Sequence, residues 1–491
     1  MIRKSGLMFI LLGVLSILFF LMIDALRIGN NQETIGAAQI LGIEFGITLI
    51  VVGFGFLKIN FSENKITKKH VIAALHKIVD LPSIFWVVTT FLALYLLFFI
   101  SPMFFSTIKV QYFFKYIPDA WAPYLGFDIE TTVRHINEWL TKGVSPYSDG
   151  IVPYTPLTLA LFTPFIILGY PDYLKLLTMI TLASYILATF IIPLFFLQNR
   201  KPGFLLLLGV IGLFSYGFQF EIERGQFNMI AFALCLLAVY IFNYQHNFRY
   251  FAYLLFSIAV QLKLYPAIFV VMLVRDWRDW KNNIRRVLGL AVFNFLLLFV
   301  MGYQLFLDFM RQITSRQLSL QSSRFEDLSI SGFTYFLSEG DYGILSRYAG
   351  VIGILILALL GVILLAIILH LNRNRETGFN PYLLMVCTIG ALMIPTASFD
   401  YKLPILTAPM IIFLSCMPAI RDTYEKAASI AIIILMSAAY WSTLYPFTVK
   451  SPVFYRNSPA LLTILFTTAI LYFLLKGKFE NTATNKIEKS I

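Results

Sequence analysis

The stretch FDIETTVRHINEWLTKGVSPYSDGIVPYTPL, residues 127–157, carries more chemistry than any other part of the chain. Asp128 and Glu130 are carboxylates, Arg134 and His135 are cationic or proton-exchanging groups, and Tyr154 adds a phenol. A carboxylate held at the right place can take a proton from an attacking hydroxyl. Position alone gives Asp128 a second reading, because Asp is a favoured N-cap for the helix that follows. Location tips the balance towards chemistry: at the outer surface of a membrane, Asp128 meets both a lipid-borne and a water-borne substrate. Glu130 is a second acid, but residues i and i+2 do not share a helix face. Asp128-Ile129-Glu130 is also a weak DxD-like pair, and no metal is assigned to it. Thr155 and Pro156 read as an N-cap and first helical residue.

Three further polar clusters interrupt apolar sequence. The first is Glu221–Asn228, with Arg224, Gln226 and Asn228, which reads equally well as a loop between helices. The second is Gln261–Pro266, with Lys263 and Tyr265. A lysine far from either end of a membrane segment is costly and by default marks a functional or internally paired site. The plainer reading is a lysine stem snorkelling to the interface. The third is Ser398-Phe399-Asp400-Tyr401-Lys402, placed at the outer end of a span, as a solvated turn or a functional group.

The elements that must hold these groups are membrane helices. Of the 491 residues 59% are hydrophobic and only 13% charged, against about 45–50% and about 25% in soluble domains. Apolar runs long enough to cross a bilayer recur from end to end, and in lipid such runs must be helical. The expected fold is all-α and polytopic, with about 12–14 transmembrane helices. The net charge of +12 comes from basic residues in short loops, which reads as orientation in the membrane and not as nucleic-acid binding. Cys235, Cys387 and Cys416 lie in apolar runs without ligand spacing and read as core residues. The run after Met1-Ile2-Arg3-Lys4 reads as a retained first span, because no small-residue cleavage site follows it.

Lys and Arg asymmetry predicts cytoplasmic loops around Lys68, Arg278 and Arg375 and a cytoplasmic C-terminal tail, with Asp128 and Asp400 outside. The middle segments, at about 154–168, 174–197, 204–218, 228–242 and 250–274, are expected to cross, the last interrupted by Lys263 and Pro266. After Asp128, Ile129, Val133, Ile136 and Leu140 form one apolar stripe. That stripe predicts a helix lying in the interface plane with its apolar face in the headgroup region, ended by Gly143 and Pro146.

The order of these motifs resembles the GT-C superfamily of membrane glycosyltransferases. An acid after the first core span is followed by G-x-SPY, Y-TP-L, RG-Q-x-N and K-x-YP with a basic loop. The nearest resemblance is to the polyprenyl-phosphate-mannose-dependent α-mannosyltransferases of bacteria, and more distantly to the first mannosyltransferase of GPI-anchor assembly. It covers roughly residues 83–281, and the first two spans look like an addition, giving units at 1–82 and 83–491. The family often carries a late Ser-Trp-x-His; here residues 398–402 have Phe for Trp and no His.

The resemblance implies a multi-pass enzyme of the bacterial cell membrane, with its site on the outer face and no cofactor. It implies that a hexose, mannose first, moves with inversion from a polyprenyl-phosphate sugar to a lipid or glycan acceptor. Asp128 is then the general base. Glu130, Arg134, His135, Tyr154, Arg224, Gln226, Asn228, Lys263, Tyr265, Asp400 and Lys402 are the expected substrate-binding residues. Lys402, Arg134 and His135 are the first candidates for the leaving phosphate; Arg224 and Lys263 join them only if the middle segments bring them to that face. The rival readings are a transporter or flippase for a lipid-linked glycan, for which interrupted helices also speak, and a glycan polymerase or ligase. Absence of a repeat between the halves counts against the first. The second would use Arg and His in a late outer loop, and residues 307–346 contain Arg but no His.

Overall fold

The computed structural model describes residues 10–18, 125–196, 203–319, 327–339, 343–374, 377–418, 423–444 and 457–479. Two units emerge, one of residues 1–115 and 199–214, the other of 116–198 and 215–491. In the first unit the described residues form a helix over 10–18 and a second over Gly203–Leu213. The expected boundary near residue 82, the expected spans before residue 106 other than residues 10–18 of the first, Lys68, Arg200, Lys201, Arg375 and residues 480–491 of the terminal tail lie outside the described residues.

The described residues of the second unit are built from helices joined by turns and two isolated β-bridges, the main helices in order being α1 Phe127–Lys142, α2 Pro156–Phe162, α3 Asp172–Ile186, α4 Tyr216–Arg224, α5 Asn228–Tyr244, α6 Arg249–Leu262, α7 Trp280–Leu297, α8 Tyr303–Ser319, α9 Ile330–Glu339, α10 Ala349–Asn374, α11 Pro381–Met393, α12 Thr407–Ser415, α13 Thr423–Leu444 and α14 Ser458–Leu474. The expected class, an all-α polytopic membrane protein, is the one observed. Among the described residues three helices are long and apolar enough to cross a membrane: Asp172–Phe196, Ala349–Asn374 and Tyr424–Leu444. At 1.5 Å per residue the 26 residues of α10 reach about 39 Å, more than the ~30 Å of a hydrocarbon core. A fourth span forms if α4 and α5, bent by 112°, count as one.

α11 is buried on every side, all 13 of its residues being enclosed, as befits a helix apolar all round. By contrast α10 shows Val351, Ile354, Leu355 and Val362 on its outer face and buries Gly353, Ile356, Leu360 and Ile363. Lipid tails are as apolar as those side chains, so what fixes the helices against one another is packing and interhelix hydrogen bonds. Tyr382 of α11 meets Phe413 of α12 and Tyr472 of α14 at centroid distances of 5.2 and 5.1 Å.

Two expectations change in detail. The segment expected at 204–218 is two helices, Gly203–Leu213 and α4, the latter capped by Ser215, whose hydroxyl accepts from the Phe218 N–H at 3.3 Å. The polar run 221–228 is therefore the last turn of α4, a glycine hinge and the first residue of α5, not a loop between helices. The interruption at Lys263 is real: α6 stops at Leu262, Lys263 is extended (φ −146°, ψ 137°), and a 3-10 segment runs over Tyr265–Leu273.

Candidate functional site

α1 begins two residues earlier than an Asp128 cap requires. Gly126 is its N-cap, in the left-handed region at φ 73°, and no side chain caps it. Asp128 thus lies in the first turn, where a carboxylate is favoured by the helix dipole, and its oxygens point elsewhere. The helix ends at Gly143, also left-handed, as the sequence suggests. Ile129, Val133 and Ile136 are buried, with only Leu140 exposed at 53%. The apolar stripe is covered mainly by protein, because α1 packs on α2, α4 and the short helix Phe165–Leu168. The headgroup region is left with the end of the stripe.

Two glycines bring α1 to the hinge between α4 and α5. The Gly126 N–H donates to the Glu223 carbonyl at 2.7 Å. Gly225 is left-handed at φ 65°, and a Cβ there would lie 2.5 Å from Ile129 Cγ2 and 3.1 Å from Gly126 Cα. Gly225→Ala is therefore expected to cost roughly 1–2 kcal/mol in backbone strain and to push α1 off the hinge. A lower thermal midpoint of the purified protein is the readout; an unchanged midpoint would mean that this approach does not need glycine.

At that contact Asp128 receives a two-pronged clamp. Arg224 donates from Nε to Oδ2 at 3.0 Å and from Nη2 to Oδ1 at 2.5 Å. Gln226 Nε2 also donates to Oδ2. The other end of that amide, Oε1, accepts from Lys263 Nζ at 2.6 Å. The Lys263 ammonium lies 4.6 Å from the Tyr154 ring centre and 4.2 Å from that of Phe227, an attractive placement for a cation. Arg224 lies over Phe127 at 5.3 Å. The Tyr154 hydroxyl is 3.3 Å from Gln226 Nε2. Of the expected residues, Asp128, Tyr154, Arg224, Gln226 and Lys263 thus form one network, with two cations to one bonded carboxylate.

The backing of this network is polar and specific. Glu221 Oε1 accepts from the Met229 N–H at 2.7 Å, so the acid of α4 caps the first turn of α5 across the hinge. Tyr265 donates its hydroxyl to the Asn228 carbonyl at 2.7 Å. Thr155 caps α2 as expected, and the Thr155 and Thr158 hydroxyls both donate to the Gln261 carbonyl at 2.7 Å. They tie α2 to the end of α6 just before Lys263. Asn228 is fully buried, and its side chain does not join the charged network.

Other expected residues fall elsewhere. Arg134 is exposed and faces Glu130 at 4.0 Å. His135 is buried, with Nδ1 2.6 Å from the Thr131 carbonyl and Nε2 2.6 Å from Asp149 Oδ2. Partial burial pushes the Asp149 carboxyl up, but the Ile151 N–H and His135 outweigh it and hold it below its usual range. His135 therefore anchors the SPYSDG loop and does not face the Asp128 network.

The late motif is not a solvated turn. Ser398, Asp400 and Lys402 are buried. Asp400 Oδ1 accepts from Asn457 Nδ2 at 2.8 Å, fastening the start of α14. Lys402 donates to the Ala397 carbonyl at 3.2 Å and stands 6.0 Å from the Tyr265 ring centre. Asp327, which sequence reading passed over, accepts from the Ser398 and Ser329 N–H groups at 2.9 and 3.0 Å. Burial raises its carboxyl, against those two bonds and the charge of Lys402. Lys263 and Lys402 face one cavity of about 570 Å³, whose walls include Tyr154, Leu264, Ile268 and Ile394. Among the described residues no three of His, Cys, Asp and Glu come together as a metal site.

Residues 153–395 match the profile of glycosyltransferase family 87. No curated protein and no solved structure matches the chain. The matched segment carries Tyr154, Arg224, Gln226 and Lys263; Asp128 precedes it, and Asp400 and Lys402 follow it. The match supports a membrane glycosyltransferase.

Proposed function

We propose that this membrane glycosyltransferase takes its sugar, a hexose with mannose first, from a polyprenyl phosphate and passes it to a lipid or glycan acceptor with inversion. The observation that carries the reading is the joining of Asp128 to Arg224, Gln226 and Lys263 beside an apolar-walled cavity that also holds Lys402. The acceptor hydroxyl gives its proton to Asp128 as its oxygen attacks C1. The bond from C1 to the phosphate oxygen breaks, and the polyprenyl phosphate leaves with the electron pair. Asp128 uses three of its roughly four acceptor sites on Arg224 and Gln226, so the clamp aims the carboxylate and leaves one direction on Oδ1 for the incoming proton. Lys263 and Lys402 supply fixed positive charge for the leaving phosphate, where such groups act most strongly because they need not reorganise. The apolar walls suit the first isoprenyl units.

The reaction face is the outer side of a bacterial cell membrane. In a background without Cys235, Cys387 and Cys416, which are all buried, an impermeant thiol reagent applied from outside is expected to label Ser148→Cys and not Arg278→Cys. The reverse pattern would remove the outer-face assignment.

A further inference from the structure

Lys402 is a cation in a place that disfavours charge. It is 7% exposed, and among the described residues its ammonium makes one hydrogen bond, to the Ala397 carbonyl at 3.2 Å. An ion taken out of water needs a partner of opposite charge. The main elements packed on its own 3-10 segment, Asp400–Leu406, are α4, α5, α11 and α12. α5, α11 and α12 carry no Asp, Glu, Lys, Arg or His. On α4, Glu221 holds the Met229 N–H, Arg224 holds Asp128, and Glu223 is buried. Asp400 accepts from Asn457, while Tyr154, Lys263, Tyr265 and Tyr401 share the Lys402 cavity. The carboxylate whose charge supports the ammonium against its burial is Asp327, itself 2% exposed.

Asp327 also fixes where that ammonium stands. Its Oδ1 accepts from the Ser329 and Ser398 N–H groups at 3.0 and 2.9 Å, and the Leu328 N–H donates to the Ser398 carbonyl at 2.6 Å. An isolated antiparallel bridge joins Asp327 to Phe399. The Phe399 carbonyl in turn accepts from the Lys402 N–H at 2.9 Å. One carboxyl group, set just before α9, therefore holds the turn 397–402 near its start, while its charge supports the cation at the end of that turn.

We propose that Asp327 is a positioning residue for the transfer: it fixes the turn that presents Lys402 to the cavity and provides that lysine's counter-charge, an inference that rests on the glycosyl-transfer reading above. Asp327→Asn keeps the Oδ1 acceptor for both N–H groups and removes the charge alone. Full-length protein in lipid nanodiscs is titrated with geranyl phosphate, a short form of the leaving group, from about pH 6.5 to about pH 9.5, a range in which a buried lysine can lose its proton. The phosphate's own second ionisation, at about pH 6, is common to every variant. Wild-type affinity is expected to fall as Lys402 loses its proton. In Asp327→Asn that fall should come roughly 1 pH unit or more lower, since an opposite charge nearby favours the charged form, with affinity at the acid end close to wild type. Lys402→Met should bind roughly tenfold or more weakly at the acid end, and adding Asp327→Asn to it should shift nothing further. Should Asp327→Asn not fold, recovery of folding in the double variant carries the same meaning, because the stranded cation is gone. Failure of both to fold makes Asp327 a brace of the fold and overturns the proposal. So does absence of binding by wild type, an unshifted fall in Asp327→Asn, or an equal shift in the Lys402→Met background. Geranyl phosphate binding involves no transfer, so a failed Asp327–Lys402 pair shows here, while a failed transfer reading shows as absent turnover of polyprenyl-phosphate sugars.

Discussion

Asp128→Asn is expected to lower glycosyl transfer by roughly 10²–10⁴-fold, the usual contribution of a positioned base. Asn keeps the shape of the side chain and one acceptor oxygen, so Arg224 and Gln226 can still hold it. It cannot take the acceptor's proton. Arg224 loses its counter-charge in the variant, so some stability goes with it, and turnover must be expressed per folded molecule. Two readouts separate a base from a brace. Sugar-donor binding should persist, and Glu130→Gln should lose much less. If Asp128→Asn turned over near the wild-type rate, Asp128 would be a structural partner of Arg224 only.

Lys263→Met should cost roughly 10²–10³-fold in kcat, the scale found when one preorganised group that stabilises transition-state charge is removed. Methionine retains length and packs well against the Tyr154 and Phe227 rings, so the change isolates the charge. The phosphate gains charge as its bond to C1 breaks, which places the loss in kcat more than in KM. Arg134→Ala is the matched control. Arg134 is exposed, at 54%, beside Glu130, and its removal should leave kcat within about twofold, as for other surface changes. Steady-state kinetics on the two variants decide the matter, and a Lys263→Met enzyme with normal kcat would rule out a role for that ammonium at the leaving group.

How far the sequence carries this account depends on the range of the interactions involved. The α1 helix was legible because a four-three-four apolar stripe and Gly143 are local signals. Its start was not, because Gly126 is held left-handed by contact with Glu223 and Leu174, far off in sequence. The break at Lys263 was legible from Pro266 and an expensive charge. The 221–228 run misled because its polar residues look solvated. Glu221 in fact caps α5 internally, and Arg224 and Gln226 face Asp128 almost a hundred residues away. His135 and Arg134 misled in the opposite sense: His135 lies two turns along the helix from Asp128, bonded to Asp149, and Arg134 is turned to the exposed side beside Glu130. Asp327 gave no signal at all, since its partners at Ser398 and Lys402 follow it only after α9, α10 and α11.

The central claim is the transfer of a sugar from polyprenyl phosphate. It is tested most directly by incubating purified, full-length protein with a panel of polyprenyl-phosphate hexoses and a pyranoside acceptor, and following both products. The account predicts free polyprenyl phosphate and glycosylated acceptor in equal amounts, with the anomeric configuration inverted and mannose preferred. Movement of intact lipid-linked sugar without glycosidic bond formation, or transfer with retention, would contradict it.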